Sequence, residues 1–263
     1  MNTKAEKVEA FSRLLDVLDM LRTHCPWDMK QTNASLRGNS IEEVYELSEA
    51  LLKDEVDEIK KELGDVLLHI LFYARIADEK EQFDIADVCN ALCNKLIYRH
   101  PHIYGTARVD TAEQVTAQWE KVKQVEKGGN KTLLSGVPST LPSLIKAFRI
   151  TEKAAAVGFD WKKKEDVWEK VAEEHAETME AVNNNKAEQM EEEFGDLIFS
   201  IVNAARLYGV NPDNALEKTN KKFIRRIAYI ETKAKESGRK LTDMSLEEMD
   251  ILWNEAKKMK DNT

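Results

Sequence analysis

Apolar residues recur at three- and four-residue intervals along the chain, and no stretch shows the period-two alternation of a half-buried strand. Val8, Phe11, Leu14, Leu15, Leu18 and Leu21 fall on one stripe and predict a helix over 3–22. "CPWD" at 25–28 interrupts it, and Ser40 followed by Glu43 has the form of a capping box, predicting that the next helix opens there. Further helices are predicted over 55–77, 84–99 and 111–127. "EKGGNKTLLSGVPSTLPS", rich in Gly, Pro, Ser and Thr, then reads as a connector. Helices resume over 141–157, 165–183, 186–208 and 213–236, and a last one starts at Ser245 with Glu248 in the capping position. The fold class predicted is all-α. Two helical bundles, 1–127 and 141–263, are joined by a linker over 128–140.

Composition narrows the chemistry. Only ten Gly and five Pro in 263 residues disfavour a turn-rich β protein. The net charge of −9 repels nucleic acid and free phosphate alike, so no nucleic-acid partner is expected, and a phosphorylated ligand needs a cation or a local basic cluster. No apolar run reaches membrane-spanning length, and the mixed-charge opening "MNTKAEKVEAFSRLL" lacks the pattern of a secretory signal. Three cysteines, an odd number, fit reduced thiols and a cytoplasmic location. Cys89 and Cys93, one helical turn apart without nearby His, are expected in the core, as are Met179, Met190 and Met244. Trp27, Trp161 and Trp168 near helix starts are expected to seal it.

The two halves repeat one another. Sliding 42–75 onto 173–206 without a gap superposes Glu42, Glu43, Glu46, Glu49, Ala50, Glu62, Gly64, Asp65, Ile70, Ala74 and Arg75 on identical residues. What the duplication keeps is chiefly carboxylate: Glu-Glu-x-x-Glu, a spacer, then Glu-x-x-Asp. Glu177 and Glu193 are equidistant from Asn185, and so are Glu174 and Asp196; Asp54 is the corresponding midpoint in the first half. If the chain folds back there, the quartet Glu174, Glu177, Glu193 and Asp196 converges about 12 Å from the turn, at about 1.5 Å of rise per residue. Glu43, Glu46, Glu62 and Asp65 do the same in the first half. Four such charges stay ionised together only around a cation, and hard oxygen donors suit Mg²⁺, with Mn²⁺ as a substitute. Gly64 and Gly195, costly inside helices, are expected where something approaches the backbone closely. A ferritin-like di-iron site is disfavoured, because none of the five His follows a Glu at the required spacing.

Positive charge gathers in "TNKKFIRRIAYIE", where Lys221, Lys222, Arg225 and Arg226 lie beside each other on one predicted helix. "NKLIYRH" is its weaker counterpart, with Leu96 and His100 in place of Lys222 and Arg226. Guanidinium and ammonium donors near cations suit a triphosphate, which points to the second half as the catalytic one.

With "HCPWD" (24–28), "RHPHIYG" (99–105), "QWEKVKQVEK" (118–127), "GVPSTLPSLIKA" (136–147), "GFDW" (158–161) and "NKKFIRR" (220–226) in this order, the sequence resembles the MazG nucleotide pyrophosphohydrolases. The likeness extends over nearly the whole chain, including the tandem arrangement. The resemblance implies Mg²⁺-dependent hydrolysis of nucleoside triphosphates to monophosphate and pyrophosphate, by water attacking the α-phosphorus. It also implies a homodimer, with activity in the C-terminal half. Carried over by position, Glu174, Glu177, Glu193 and Asp196 are metal ligands. Lys170, Glu192, Lys222, Arg225, Arg226 and Trp253 are nucleotide contacts. Glu173 and Glu174 are both candidates to accept the proton of the attacking water, and the sequence does not assign the role to either. The absence of a G-x-x-x-x-G-K-[ST] run disfavours a P-loop ATPase. The competing reading is a non-enzymatic helical regulator that binds nucleotide or protein.

Overall fold

The structure is a computed structural model that describes residues 1–106 and 132–259, with positions 108, 111, 114, 115, 118 and 122 between them. The helix predicted over 111–127 lies largely outside these residues, as does the start of the predicted linker. The chain divides into two compact units, Met1–Arg108 and Val109–Thr263. Among the described residues every regular element is helical.

In the first unit, α1 (Lys4–His24) opens on Thr3, whose hydroxyl and Glu6 form a reciprocal capping box. α2 (Asn33–Lys53) opens on Thr32, with Ser35 completing the box. The helix therefore begins before Ser40, which sits inside it. A Ser-x-x-Glu spacing also arises within helices, and here the side chain of Ser40 bonds back to the Leu36 carbonyl at 2.9 Å. α2 ends at Asp54, α3 (Val56–Asp78) runs back against it, and α4 (Ile85–Arg99) and the single turn α5 (Pro101–Tyr104) follow. Asp54 takes a left-handed backbone, φ 57°, which a short polar side chain tolerates better than a branched one. The core gathers Leu18 of α1, Leu36 of α2 and Leu71, Phe72 and Ile76 of α3. Each such side chain contributes about 1.5–3 kcal/mol by leaving water.

The second unit repeats the plan. α6 (Ser143–Ala156) precedes α7 (Val167–Asn183), α8 (Ala187–Leu207), α9 (Pro212–Glu236) and α10 (Leu246–Lys258). α7 and α8 form the hairpin, with Asn185 at φ 55° in the turn, while α6 and α9 pack on α8 and α10 packs on α9. Both left-handed turn residues are the midpoints that the carboxylate spacing predicted. Ser245 and Glu248 make the expected capping box on α10.

Several expected core residues lie outside the core. Trp27, Trp168 and Met179 are exposed, at 58%, 52% and 46%, and Cys89 and Cys93 are exposed free thiols. Trp161 lies on the surface as well; Trp168 instead donates from Nε1 to the Tyr208 hydroxyl at 3.1 Å. A helical stripe fixes which residues share a face, but not whether a face is covered. Gly64 and Gly195 also depart from expectation: a methyl group at either would meet nothing within 4 Å.

Candidate active site

Each hairpin brings carboxylates together. In α7 and α8, oxygens of Glu174, Glu177 and Glu193 all lie within 4.8 Å of one another. In α2 and α3 the corresponding group is Glu43, Glu62 and Asp65. Of the two predicted quartets, Asp196 stands outside the second-half group and Glu46 outside the first-half group. Folding an antiparallel pair about its turn sets residues equidistant from that turn at one level. Glu177 and Glu193 form the level nearer the turn; Glu43 and Asp65 form the farther one. The second-half trio is therefore built on the near level and the first-half trio on the far level.

The clustering is electrostatically costly, and the groups show it. Partial desolvation, then the charges of Glu174 and Glu193, push the Glu177 carboxyl above its ordinary value. Desolvation, then Asp65 and Glu46, do the same to Glu43. Lysines partly compensate, from different helices in the two halves. Lys170 of α7 reaches Glu173 at 3.0 Å and the buried Glu174 at 2.8 Å, and these partners raise the pKa of its amine. Lys61 of α3 reaches Glu62 at 2.7 Å. The other Glu62 oxygen is buried without a hydrogen-bond partner among the described residues, although only 4% of the residue is exposed. A buried, unpartnered carboxylate oxygen beside two further carboxylates fits a divalent cation with hard oxygen ligands.

Two cross-hairpin contacts escape the motif reading. The Thr178 hydroxyl lies 2.7 Å from the Glu174 carbonyl and 3.2 Å from the Glu193 carbonyl, tying α7 to α8 beside the trio. In the first half Ser40 of α2 meets His69 Nδ1 at 3.0 Å and the Tyr73 hydroxyl at 2.5 Å, both from α3. Ser40 with His69, and Thr178 with Glu193, are close to mirror positions about their turns, so the fold-back rule that found the carboxylates also reaches these pairs. The retained Arg75 and Arg206 tie each hairpin to an earlier segment: Arg75 pairs with Asp19 of α1 at 2.8 Å and Arg206 with Asp160, ahead of α7, at 2.6 Å.

Of the remaining predicted residues, Glu173 and Glu192 are exposed on α7 and α8. Lys222 and Arg225 are exposed on α9, while Arg226 is half-buried. The Arg226 guanidinium stacks 4.9 Å from the centre of the Trp253 ring, which Phe223 meets edge-on at 5.1 Å. This aromatic–guanidinium group joins α9 to α10, and Arg226 Nε is buried with no hydrogen-bond partner among the described residues.

The comparisons with known proteins agree with this architecture. The MazG nucleotide pyrophosphohydrolase domain matches twice, over residues 31–104 and 162–230, so each match spans one acidic hairpin. A Thermotoga maritima protein named nucleoside triphosphate pyrophosphohydrolase/pyrophosphatase MazG is 43% identical over 250 residues, covering 94% of this chain and 95% of its own. The nucleoside triphosphate pyrophosphohydrolase of Escherichia coli K12 is 37% identical over 253 residues, covering 94% and 96%. Bacillus subtilis YabN, which carries no functional name, is 46% identical over 260 residues, 97% of this chain and 53% of its own. The chain belongs to the MazG nucleotide pyrophosphohydrolase family. It is an enzyme of that class, with the family domain present in tandem.

Proposed function

We propose that the second half hydrolyses nucleoside triphosphates to nucleoside monophosphate and pyrophosphate, with Glu174, Glu177, Glu193 and Asp196 as the residues that would hold Mg²⁺. The observation that carries this reading is the convergence of three carboxylates in the α7–α8 hairpin, within a domain whose named relatives act on nucleoside triphosphates. When bound, a divalent cation supplies charge neutralisation at the phosphates and acidifies water near the α-phosphorus. The protein's own groups do the rest. Lys222, Arg225 and Arg226 take phosphate oxygens, and Arg226 is held for that task by its stack on Trp253. Glu192 and Lys170 are the further residues that would flank the phosphates, and Lys170 is paired with Glu173 and Glu174 beside the trio. Glu173 or Glu174 accepts the proton of the attacking water. The first half, lacking counterparts of Lys222 and Arg226, contributes little to this reaction.

We also assign the molecule to a homodimer and to cytoplasmic nucleotide-pool housekeeping or stress-related nucleotide control. Support for the dimer comes from exposed apolar residues at repeat-equivalent places on the hairpins. Leu63 and Ile70 are 53% and 45% exposed; their counterparts Phe194 and Ile201 are 49% and 48% exposed. Light scattering that gives a monomer mass at micromolar concentration would contradict that assignment. Incubation of the protein with each nucleoside triphosphate and Mg²⁺, with products resolved by anion-exchange chromatography, tests the reaction. Monophosphate with pyrophosphate is the expected outcome; diphosphate with phosphate, or no turnover, contradicts it.

A further inference from the structure

Ile85 starts α4 against the core of the first unit, and the apolar stripe it opens runs on through Cys89, Leu92, Cys93 and Leu96. These positions, at i+4, i+7, i+8 and i+11, share one helix face. From Cys89 onward the face is uncovered among the described residues. Leu92 is 47% and Leu96 45% exposed, both thiols are exposed, and no residue of α4 is buried.

The second half does not share this stripe. The register that sets Asn94, Lys95 and Arg99 on Asn220, Lys221 and Arg225 sets Leu92, Cys93 and Leu96 on the exposed Lys218, Thr219 and Lys222 of α9. Two ammonium groups and a hydroxyl in one copy are thus two isobutyl groups and a thiol in the other. Leu in place of Lys is favourable only where the side chain leaves water, by about 1.5–3 kcal/mol for each one buried. Loss of a phosphate-binding task would not by itself put two Leu on one exposed stripe; a covering surface does.

The order of side-chain sizes identifies that surface. Cys89 with Leu96, and Leu92 with Cys93, share one midpoint along the helix. A two-fold axis through it sets two copies of α4 antiparallel, with Cys89 opposite Leu96 of the partner subunit at each end, small against large. Leu92 and Cys93 lie astride the axis, each beside its own symmetry mate. The four side chains carry no charge, so their complement is another apolar helix face. We infer that the Cys89–Leu96 stripe of α4 is the axial contact of a homodimer, docked antiparallel on the same stripe of a second copy. The inference rests on the homodimer reading and deepens it by naming the surface. Four side chains fall short of the about 800 Å² per partner of a stable dimer, so the stripe adds to the exposed hairpin residues rather than replacing them.

The test takes the full chain and gives the stripe its second-half counterparts, Leu92→Lys with Leu96→Lys. Light scattering over a dilution series reads the mass, and circular dichroism reads the helix content. The unaltered chain is expected to be a dimer, and the variant to keep its helix content and to dissociate about a hundredfold more readily. Cross-linking decides the matter even if that variant fails to fold. Cys25→Ser with Cys89→Ser leaves Cys93 as the sole thiol, offset from its mate by about 1.5 Å along the helix; Cys25→Ser with Cys93→Ser leaves Cys89, offset by about 10 Å. A short bifunctional maleimide is expected to give a covalent dimer with the first and little with the second. Equal cross-linking through either thiol, none through Cys93, or a dimer unchanged by the two lysines overturns the stripe as the axial contact and leaves the homodimer reading standing. A monomeric unaltered chain overturns both.

Discussion

The Lys170 ammonium lies 2.8 Å from the buried Glu174 carboxylate, where it supplies the positive charge that the α7 acids otherwise lack. It is the only basic side chain, among the described residues, that contacts the second-half trio in an ion pair at 4.0 Å or less. Lys170→Gln is therefore expected to lower the melting temperature measured in chelator, and saturating Mg²⁺ is expected to close most of the gap. A deficit of equal size with and without Mg²⁺ would show that the lysine and the cation do not share a task.

Thr178 ties the hairpin at the level of the trio and is 3% exposed. Thr178→Val keeps the shape, loses the hydroxyl and costs about 1 kcal/mol of stability, while Thr178→Ser costs less. Chemical denaturation measures the difference. The account expects the Val variant also to need more Mg²⁺ for half-maximal turnover, since Glu193 is then held less firmly. Unchanged Mg²⁺ dependence in a destabilised variant would limit the residue to a structural part.

Acid–base linkage makes a signed prediction. Glu177 and Glu43 are both raised above 4.5 in the folded protein, so the native state binds more protons than the unfolded chain just above that value. Their contribution is complete below the unfolded value and is lost as pH rises through the folded one. Glu79, lowered by Arg22, and Glu248, lowered to about 2 by Arg239, act in the opposite sense and weaken the fold only as pH falls through 4.5 and below. In chelator, these two acids are expected to lower the melting temperature as pH rises from 4.5 through their raised folded values. Added Mg²⁺ should flatten that decline. A rise over the same interval in chelator would be inconsistent with the raised acids.

How much of this was legible in the sequence varies with the kind of signal. The turns at Asp54 and Asn185 were readable because paired carboxylates have to be equidistant from the residue that reverses the chain. The trios were only partly readable: the spacing brings four acids to two levels, but side-chain rotamers decide which three oxygens meet, leaving out Asp196 in one half and Glu46 in the other. The surface positions of Trp27, Trp168, Cys89 and Cys93 were not readable, since periodicity does not say which stripe a neighbour covers. Nor was the start of α2, because the Thr32 box is completed by Ser35 rather than by Glu or Gln.

Arg226 owes its placement to the Trp253 face and not to a salt bridge among the described residues. Arg226→Lys retains charge but loses the planar stack and the paired donors. It is expected to reduce kcat/KM for nucleoside triphosphates by about ten- to a hundredfold, as for loss of a charge-assisted bond of about 1.5–3 kcal/mol. Trp253→Ala is expected to do so mainly through KM. Steady-state kinetics with both variants decides it; wild-type kinetics in Arg226→Lys would remove α9 from the phosphate site.

The most direct measurement is turnover of a nucleoside triphosphate at saturating Mg²⁺ by Glu193→Gln and by Glu62→Gln, the same change at repeat-equivalent positions in α8 and α3. The account predicts that Glu193→Gln abolishes release of pyrophosphate and that Glu62→Gln retains most of it. Equal losses in the two variants, or full activity in Glu193→Gln, would contradict the assignment of hydrolysis to the second-half carboxylates.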